Sequence, residues 1–191
     1  MRSRSLSGAV PLAHYFLRER VRPGDRVVDA TCGNGHDTAF LAELVGAAGT
    51  IWAFDIQESA LAATRARLEA FGYPGRTELV LAGHERLAEI VTEPVRGVVF
   101  NLGFLPGAGR ETVTSSATTS AALEQAAGLL LPGGVVTVAV YTGHAGGAEE
   151  GRGVEEWAAA LSPRTFNVWR CRQMNRSDTA PYLVVVERIP A

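Results

Sequence analysis

Two aspartates with a pair of glycines between them are the residues whose types and spacing suggest chemistry. Asp29 ends one short apolar stretch, Arg26 to Asp29, and Asp55 follows another, Thr50 to Phe54. Between them lie Gly33, Gly35 and a segment from Asp37 to Val45 in which Phe40, Leu41, Leu44 and Val45 recur at helical spacing, with Gly46 as its stop. Strand, glycine turn, helix and strand make half of a nucleotide-binding βαβ unit. Glycines at 33 and 35 can take positive φ and carry no Cβ, so the turn can bring backbone N–H groups close to a ligand at the next helix N-terminus. Asp55, about 20 residues past the glycines, stands where such folds hydrogen-bond a ribose diol.

Two cofactors fit this outline. A dinucleotide site favours G-x-G-x-x-G and needs no acid at the end of its first strand, whereas here Thr38 occupies the third glycine's place and Asp29 precedes the turn. An acid there has no use facing a pyrophosphate, but it can meet a cationic amino acid group directly or through water. S-adenosylmethionine carries both an ammonium group and a ribose, so the stretch favours it over NAD.

Positioning these residues requires a layered α/β chain. Residues 1–7 read as an arm, and Pro11 with Leu12 to Val21 as a helix carrying His14 and Tyr15 near its start. Further helices are expected at Ala60 to Phe71, Leu87 to Val91, Ser120 to Leu131 and Glu149 to Leu161. Strands are expected at Thr77 to Ala82, Gly97 to Phe100, Val135 to Tyr141, Phe166 to Met174 and Tyr182 to Ile189. Alternating strands and helices predict a mainly parallel sheet. The last two strands, joined only by Asn175 to Pro181, are too close for a helical crossover and must pair antiparallel. The expected fold class is therefore α/β: a single Rossmann-like domain over residues 1–191, with residues 1–22 as arm and helix and 23–191 as core. Its sheet has seven strands, one antiparallel, with helices on both faces, the arrangement of class I methyltransferases. The hydroxyl-rich run Thr112 to Thr119 is expected to cap the helix after it.

Composition narrows the function classes. At 191 residues with 47% hydrophobic and only 7% aromatic content, the chain can bury a substantial, mostly aliphatic core. The longest apolar run, Val135 to Val140, is too short to span a membrane, and no signal peptide is read at the N-terminus, so a cytoplasmic setting is expected. Cys32 and Cys171 form no metal-ligand spacing with the four histidines, so no metal is expected. A net charge of −2 argues against non-specific coating of nucleic acid. All 18 basic residues are nevertheless arginine, clustered at Arg2, Arg4, Arg18, Arg20 and Arg22 and again at Arg164, Arg170, Arg172 and Arg176. Both phosphate contact through the planar guanidinium and ordinary solvated charge fit these clusters.

Asn101-Leu102-Gly103-Phe104 ends the expected fourth strand, where amine-methylating enzymes of this class carry Asn-Pro-Pro-Tyr or a relative of it. The physical reason is transferable: an asparagine carbonyl and a neighbouring backbone carbonyl accept from an NH₂ group while an aromatic packs on the substrate. An amine so held aims its lone pair at the methyl for in-line transfer. Leu102 and Gly103 stand in place of the prolines.

Taken together, Asp29 to Thr38, Phe54 to Gln57, Gly83-His84-Glu85, Asn101 to Gly107, Thr118-Thr119, Tyr141 to Gly147 and Gln173 to Asn175 resemble the small rRNA methylase family typified by YtqB. Members of that family are implicated in methylating the amine of 5-aminomethyl-2-thiouridine at the tRNA wobble position, the MnmM activity. The resemblance implies S-adenosylmethionine contacts at Asp29, Asn34, Gly35, Asp55, Gln57, His84 and Asn101. It implies a substrate pocket with Phe104, Tyr141, His144 and Asn175, and Asn101 and His144 as catalytic residues. The alkylammonium must lose a proton before attack, and His144 or His36 as a base, or desolvation by the pocket, would serve. The implied partner is RNA, a tRNA anticodon stem-loop in particular, bound by a monomer or homodimer. The rival readings are a small-molecule N- or O-methyltransferase, an rRNA base methyltransferase and an NAD-type or non-catalytic Rossmann protein.

Overall fold

In the computed structural model the described residues are 7–73, 75–103, 116–143 and 145–190. Phe104, Arg110, Thr112 to Ser115, His144, Arg2 and Arg4 lie outside them. Seven strands form one sheet: β1 (Arg26–Asp29), β2 (Thr50–Asp55), β3 (Arg76–Leu81), β4 (Val95–Asn101), β5 (Leu130–Val140), β6 (Phe166–Cys171) and β7 (Tyr182–Arg188). Their order is β3-β2-β1-β4-β5-β7-β6. The first five pair in parallel, and β7 runs antiparallel to both β5 and β6. The chain steps outward from β1 to β3 and then returns beside β1 with β4, so the β1/β4 boundary is the point where such sheets open a crevice at the carboxyl ends of their strands.

The helices are α1 (Ala9–Arg20), α2 (His36–Val45), α3 (Glu58–Ala70), α4 (Leu87–Ile90), α5 (Ser116–Leu129) and α6 (Gly147–Ala160). Successive strand residues point to opposite faces, and each face has its own core. Val27, Ile51, Val99, Ala139, Leu183 and Val185 pack with Leu17 of α1 and Leu41 of α2. Val28, Phe54, Phe100, Val138 and Val184 pack with Leu123 of α5 and Val154 of α6. Strands buried on both faces read as nearly continuous apolar runs, as β1, β2, β5 and β7 do. The two edge strands, β3 and β6, are the poorly buried ones.

Element types match the sequence expectation, and the differences are local. The strand β5 begins at Leu130, five residues early, because Leu130 pairs with Val95 ahead of a bulge that loops out the Pro132-Gly133-Gly134 turn. The helix α5 begins by Ser116, so Thr119 lies inside it and does not cap it. The Thr119 hydroxyl donates instead to the buried Glu150 carboxylate of α6 at 2.7 Å.

Leu17 of α1 and Val21 just past it lie against Gly97 in β4, where an added Cβ would come within 3.0 and 3.1 Å of them. His14, one turn earlier, reaches the opposite, carboxyl edge of the strands. The helix thus crosses the sheet face from the carboxyl edge to the far one.

Candidate active site

At the end of β1 the Asp29 side chain is fully buried and held at both oxygens: Thr38 Oγ1 donates to one at 2.6 Å and the Thr31 N–H to the other at 3.2 Å. Burial first, and the nearby Asp37 carboxylate second, push its pKa up to about 7. A buried acid in that state is a place where a cationic group would be welcome.

Asp55, at the end of β2, is only half-buried. It accepts the Gly33 N–H on one oxygen and the Gln57 N–H on the other, both at 3.0 Å. Each carboxylate oxygen keeps acceptor capacity beyond one bond, so these contacts orient Asp55 without spending it.

The glycine turn is built differently from a phosphate-binding loop. The Cys32 N–H goes to the Phe54 carbonyl, the Gly33 N–H to Asp55 and the Gly35 N–H to the Cys32 carbonyl, so these donors face protein and not ligand. Gly33 and Gly35 have φ of 49° and 73°. A Cβ on Gly35 would sit 2.7 Å from the Thr64 Cα of α3, so Gly35 is required for close helix packing. Thr64 and Arg67 of α3 donate to the Gly33 and Asn34 carbonyls, clamping the turn from behind. His36 is exposed and pairs with Arg67 at 3.1 Å, turned towards α3. The buried Cys32 thiol is pushed well up by burial and by Asp29, which makes it unreactive.

His84, in a 3-10 turn after β3, is buried edge-on against Phe100 with ring centroids 5.7 Å apart. Burial lowers its pKa, so the imidazole is neutral. Its Nε2 is buried without a protein partner among the described residues. A buried polar atom in that condition calls for a bound partner. A neutral imidazole has one acceptor nitrogen, a role open to Nε2 here.

Across the switch point, Asn101 ends β4 with its backbone N–H on Thr31 Oγ1 at 2.8 Å, which ties β4 to the turn after β1. Its side-chain nitrogen faces Asp37 Oδ2 at 3.4 Å, and His14 Nε2 meets Asp37 Oδ1 at 2.6 Å. The His14 ring stacks on Phe40 at 3.7 Å and 7°. Tyr141, just past β5, has its phenol pKa raised by burial and then by Asp37, so this acid is near enough to act on it. Asn101 and Tyr141 are thus brought together around Asp37. Asn175 is exposed in the β6–β7 turn on the same edge, where Thr142 reaches the Thr179 carbonyl at 3.5 Å.

Sequence reasoning missed Asp37 and His14 as site residues. The signal available was an acid in the first turn of the helix after the glycines, and its partner lies 23 residues away on another helix.

Among the described residues the arginine clusters do not form one face. Arg20 bonds Glu187, and Arg22 caps the carbonyls of Arg18, Glu19 and Val21, both at the far edge from the site. Arg164 precedes the start of β6, also on that edge. Arg170 pairs with Glu155 and Arg172 with Asp178, and Arg176 is exposed in the β6–β7 turn on the site's side. Among the described residues no group of metal-ligating side chains is assembled, and no helix is long and apolar enough to cross a membrane.

The donor set fits S-adenosylmethionine: a buried acid at β1, a ribose-type acid at β2 and an unpartnered histidine acceptor beyond β3 lie along one edge. Known proteins agree with that geometry. A tRNA (mnm(5)s(2)U34)-methyltransferase of Arabidopsis thaliana chloroplasts is 38% identical over 186 residues, 92% of this chain and 68% of that protein. The crystal structure of a "putative rRNA-methylase" from Clostridium thermocellum superposes with a TM-score of 0.93 at 39% identity, over 97% of this chain and 100% of that one. A Streptococcus mutans methyltransferase homologue solved in complex with SAH gives 0.87 at 35% identity, again over 97% and 100%. Residues 51–187 match the family described as "Putative rRNA methylase". With the class I sheet, the cofactor-type edge and full-length relatives in agreement, the chain belongs to that family and is an S-adenosylmethionine-dependent methyltransferase.

Proposed function

We propose that the protein N-methylates the 5-aminomethyl group of a tRNA wobble (2-thio)uridine. The observation that carries the amine assignment is Asn101. Its amide sits at the β4 end of the switch-point crevice with the nitrogen turned to Asp37, which makes the carbonyl oxygen its acceptor for a substrate N–H. The RNA assignment is supported by the likeness to the chloroplast tRNA methyltransferase, which spans 92% of this chain and 68% of that protein.

S-adenosylmethionine supplies an electrophilic methyl on a sulfonium. In this reading Asp29 faces the cofactor's ammonium end, Asp55 and Gln57 its ribose, and His84 Nε2 accepts from an exocyclic amine on its base. Asn34 and Gly35 shape the turn over which it lies. Asn101 orients the substrate nitrogen, and Tyr141 and Asn175 line the approach; the substrate roles expected of Phe104 and His144 fall outside the described residues. Once the alkylammonium has given up a proton to solvent, Asn101 would hold the free nitrogen lone pair towards the methyl that S-adenosylmethionine supplies, the S–C electron pair staying with sulfur. The product leaves as a secondary ammonium. Holding the nitrogen in line is the main contribution asked of the protein, since orientation alone can remove about 7–11 kcal/mol of a barrier.

Nucleoside mass spectrometry decides the reading. Incubated with S-adenosylmethionine and tRNA bearing 5-aminomethyl-2-thiouridine, the protein should convert that nucleoside to its N-methyl form. Methylation confined to rRNA, or equal turnover of a free small amine, would overturn it.

A further inference from the structure

We infer that Asp37, held by His14, is the positioning residue that sets the polarity of the Asn101 amide, which makes the N-terminal helix part of the methyl-transfer site. This rests on the amine substrate proposed above. A carboxylate offers acceptors only, so each of its neighbours must present an N–H. Asn101 therefore turns Nδ2 to Asp37 Oδ2 at 3.4 Å, and His14 carries its proton on Nε2, 2.6 Å from Oδ1.

An amide with its nitrogen on Asp37 must point its oxygen the other way. That oxygen can accept an N–H of the substrate and leave the nitrogen lone pair free. The reversed amide would set oxygen against oxygen at Asp37 and offer the substrate an NH₂, which would tie up the lone pair that has to attack. Asp37 thus decides between a productive and an obstructive Asn101.

The support behind Asp37 is rigid. It is buried in the first turn of α2, three residues before Phe40, on which the His14 ring stacks. The Arg18 guanidinium carbon lies 5.2 Å from the centre of the same Phe40 ring. Ala13 and Leu17 on either side of His14 are buried in the core, so the ring is fixed by the whole helix. The charged and titratable groups around Asp37 are His14 and Arg18 from α1, Asp29 from β1 with Asp55 beyond it, and Tyr141 after β5.

The test begins with a readout that does not depend on turnover. The Asn101 side-chain amide resonance, assigned by its loss in Asn101→Ala, should move in both Asp37→Asn and His14→Phe while the backbone amide spectrum stays folded. His14→Phe keeps a ring on Phe40 and removes only the bond to Asp37, so it serves if Asp37→Asn does not fold. Single-turnover methylation at saturating S-adenosylmethionine should fall about a hundredfold in Asp37→Asn and about tenfold in His14→Phe. Cofactor affinity by calorimetry should stay within about threefold. The double variant Asp37→Asn/Asn101→Ala should be no slower than Asn101→Ala, because both act through one group. An unmoved Asn101 resonance, losses that multiply in the double variant, or cofactor affinity falling in step with turnover would each overturn the inference. If the parent leaves the amine-bearing tRNA unmethylated, the proposed substrate fails, and the resonance alone decides the orientation.

Discussion

The two halves of the site are built on different length scales. At the ends of β1 and β2 the acids are fixed largely by nearby chain: Asp29 by Thr31 and Thr38, Asp55 by Gln57 and by Gly33, 22 residues away in the adjoining turn. At the ends of β4 and β5 the fixing comes from outside one βαβ unit: Asn101 is held by an acid 64 residues away on α2, and that acid by a histidine on α1, ahead of β1. The cofactor half is close to a local motif. The substrate half exists only once the sheet has closed and α1 has docked, so damage to the two halves should look different.

The largest expected effect breaks the cofactor half through its backbone. Gly35→Ala places a Cβ 2.7 Å from the Thr64 Cα at a φ of +73°. A left-handed residue costs about 1–2 kcal/mol and overpacking about 1–3 kcal/mol more, so denaturant unfolding should show a loss of about 2–5 kcal/mol. Gly72→Ala, with φ of +62° and nothing within 4 Å, separates the terms, since it should show only the first. Equal losses at both positions would mean that α3 does not clamp the turn.

A smaller effect sharpens the contrast between the two acids. The folded chain holds a proton on Asp29 that the unfolded chain, at the ordinary 3.8, has released between about pH 4 and 7. More protons bound in the folded state mean that stability declines as pH rises through that window, and the decline is complete above it. Asp29→Asn should abolish this slope and raise the stability of the cofactor-free protein at pH 8 by something on the order of 2 kcal/mol. Thr38 can turn its hydroxyl to suit the new amide. Asp55→Ala should instead lower stability by about 1–3 kcal/mol, because the Gly33 and Gln57 N–H groups lose their acceptor. Both should weaken S-adenosylmethionine, by about 1–3 kcal/mol in calorimetry. Urea unfolding across pH therefore gives opposite signs for two acids that look alike in sequence.

What could be read from the chain follows the same division. The seven-stranded, mainly parallel sheet and the antiparallel pairing of its last two strands were legible because apolar runs and the short last connection are local signals. The position of Asn101 at the end of β4 was legible in the same way. The role of Asp37 was not, because an acid in a helix's first turn looks like favourable dipole chemistry until His14 and Asn101 converge on it. The glycine turn misled for a related reason: spacing shows where positive φ is tolerated, but not that the N–H groups of Cys32, Gly33 and Gly35 are taken by protein. The arginines cluster in sequence, yet the described ones are divided between opposite edges by the direction of α1 and β6.

That division carries the smallest prediction. If RNA approaches the carboxyl edge, a phosphate contact must come from an arginine that faces this edge and is not already paired. Arg176 qualifies, exposed in the β6–β7 turn with no carboxylate partner among the described residues. Arg20 does not, being bonded to Glu187 through Nε at 3.1 Å and a terminal nitrogen at 2.8 Å near the start of β5. Each phosphate contact releases condensed counterions, so Arg176→Gln should lower the slope of log affinity against log salt by about 1. Arg20→Gln should leave the slope unchanged and show its effect in thermal stability instead, since Glu187 would lose a partner in a half-buried pair. Fluorescence anisotropy with an anticodon stem-loop from 50 to 200 mM salt, roughly the range over which such slopes are well resolved, measures both. A slope that drops with Arg20→Gln and not with Arg176→Gln would place the RNA on the far edge, away from Asn101, and would count against the amine site as strongly as loss of activity would.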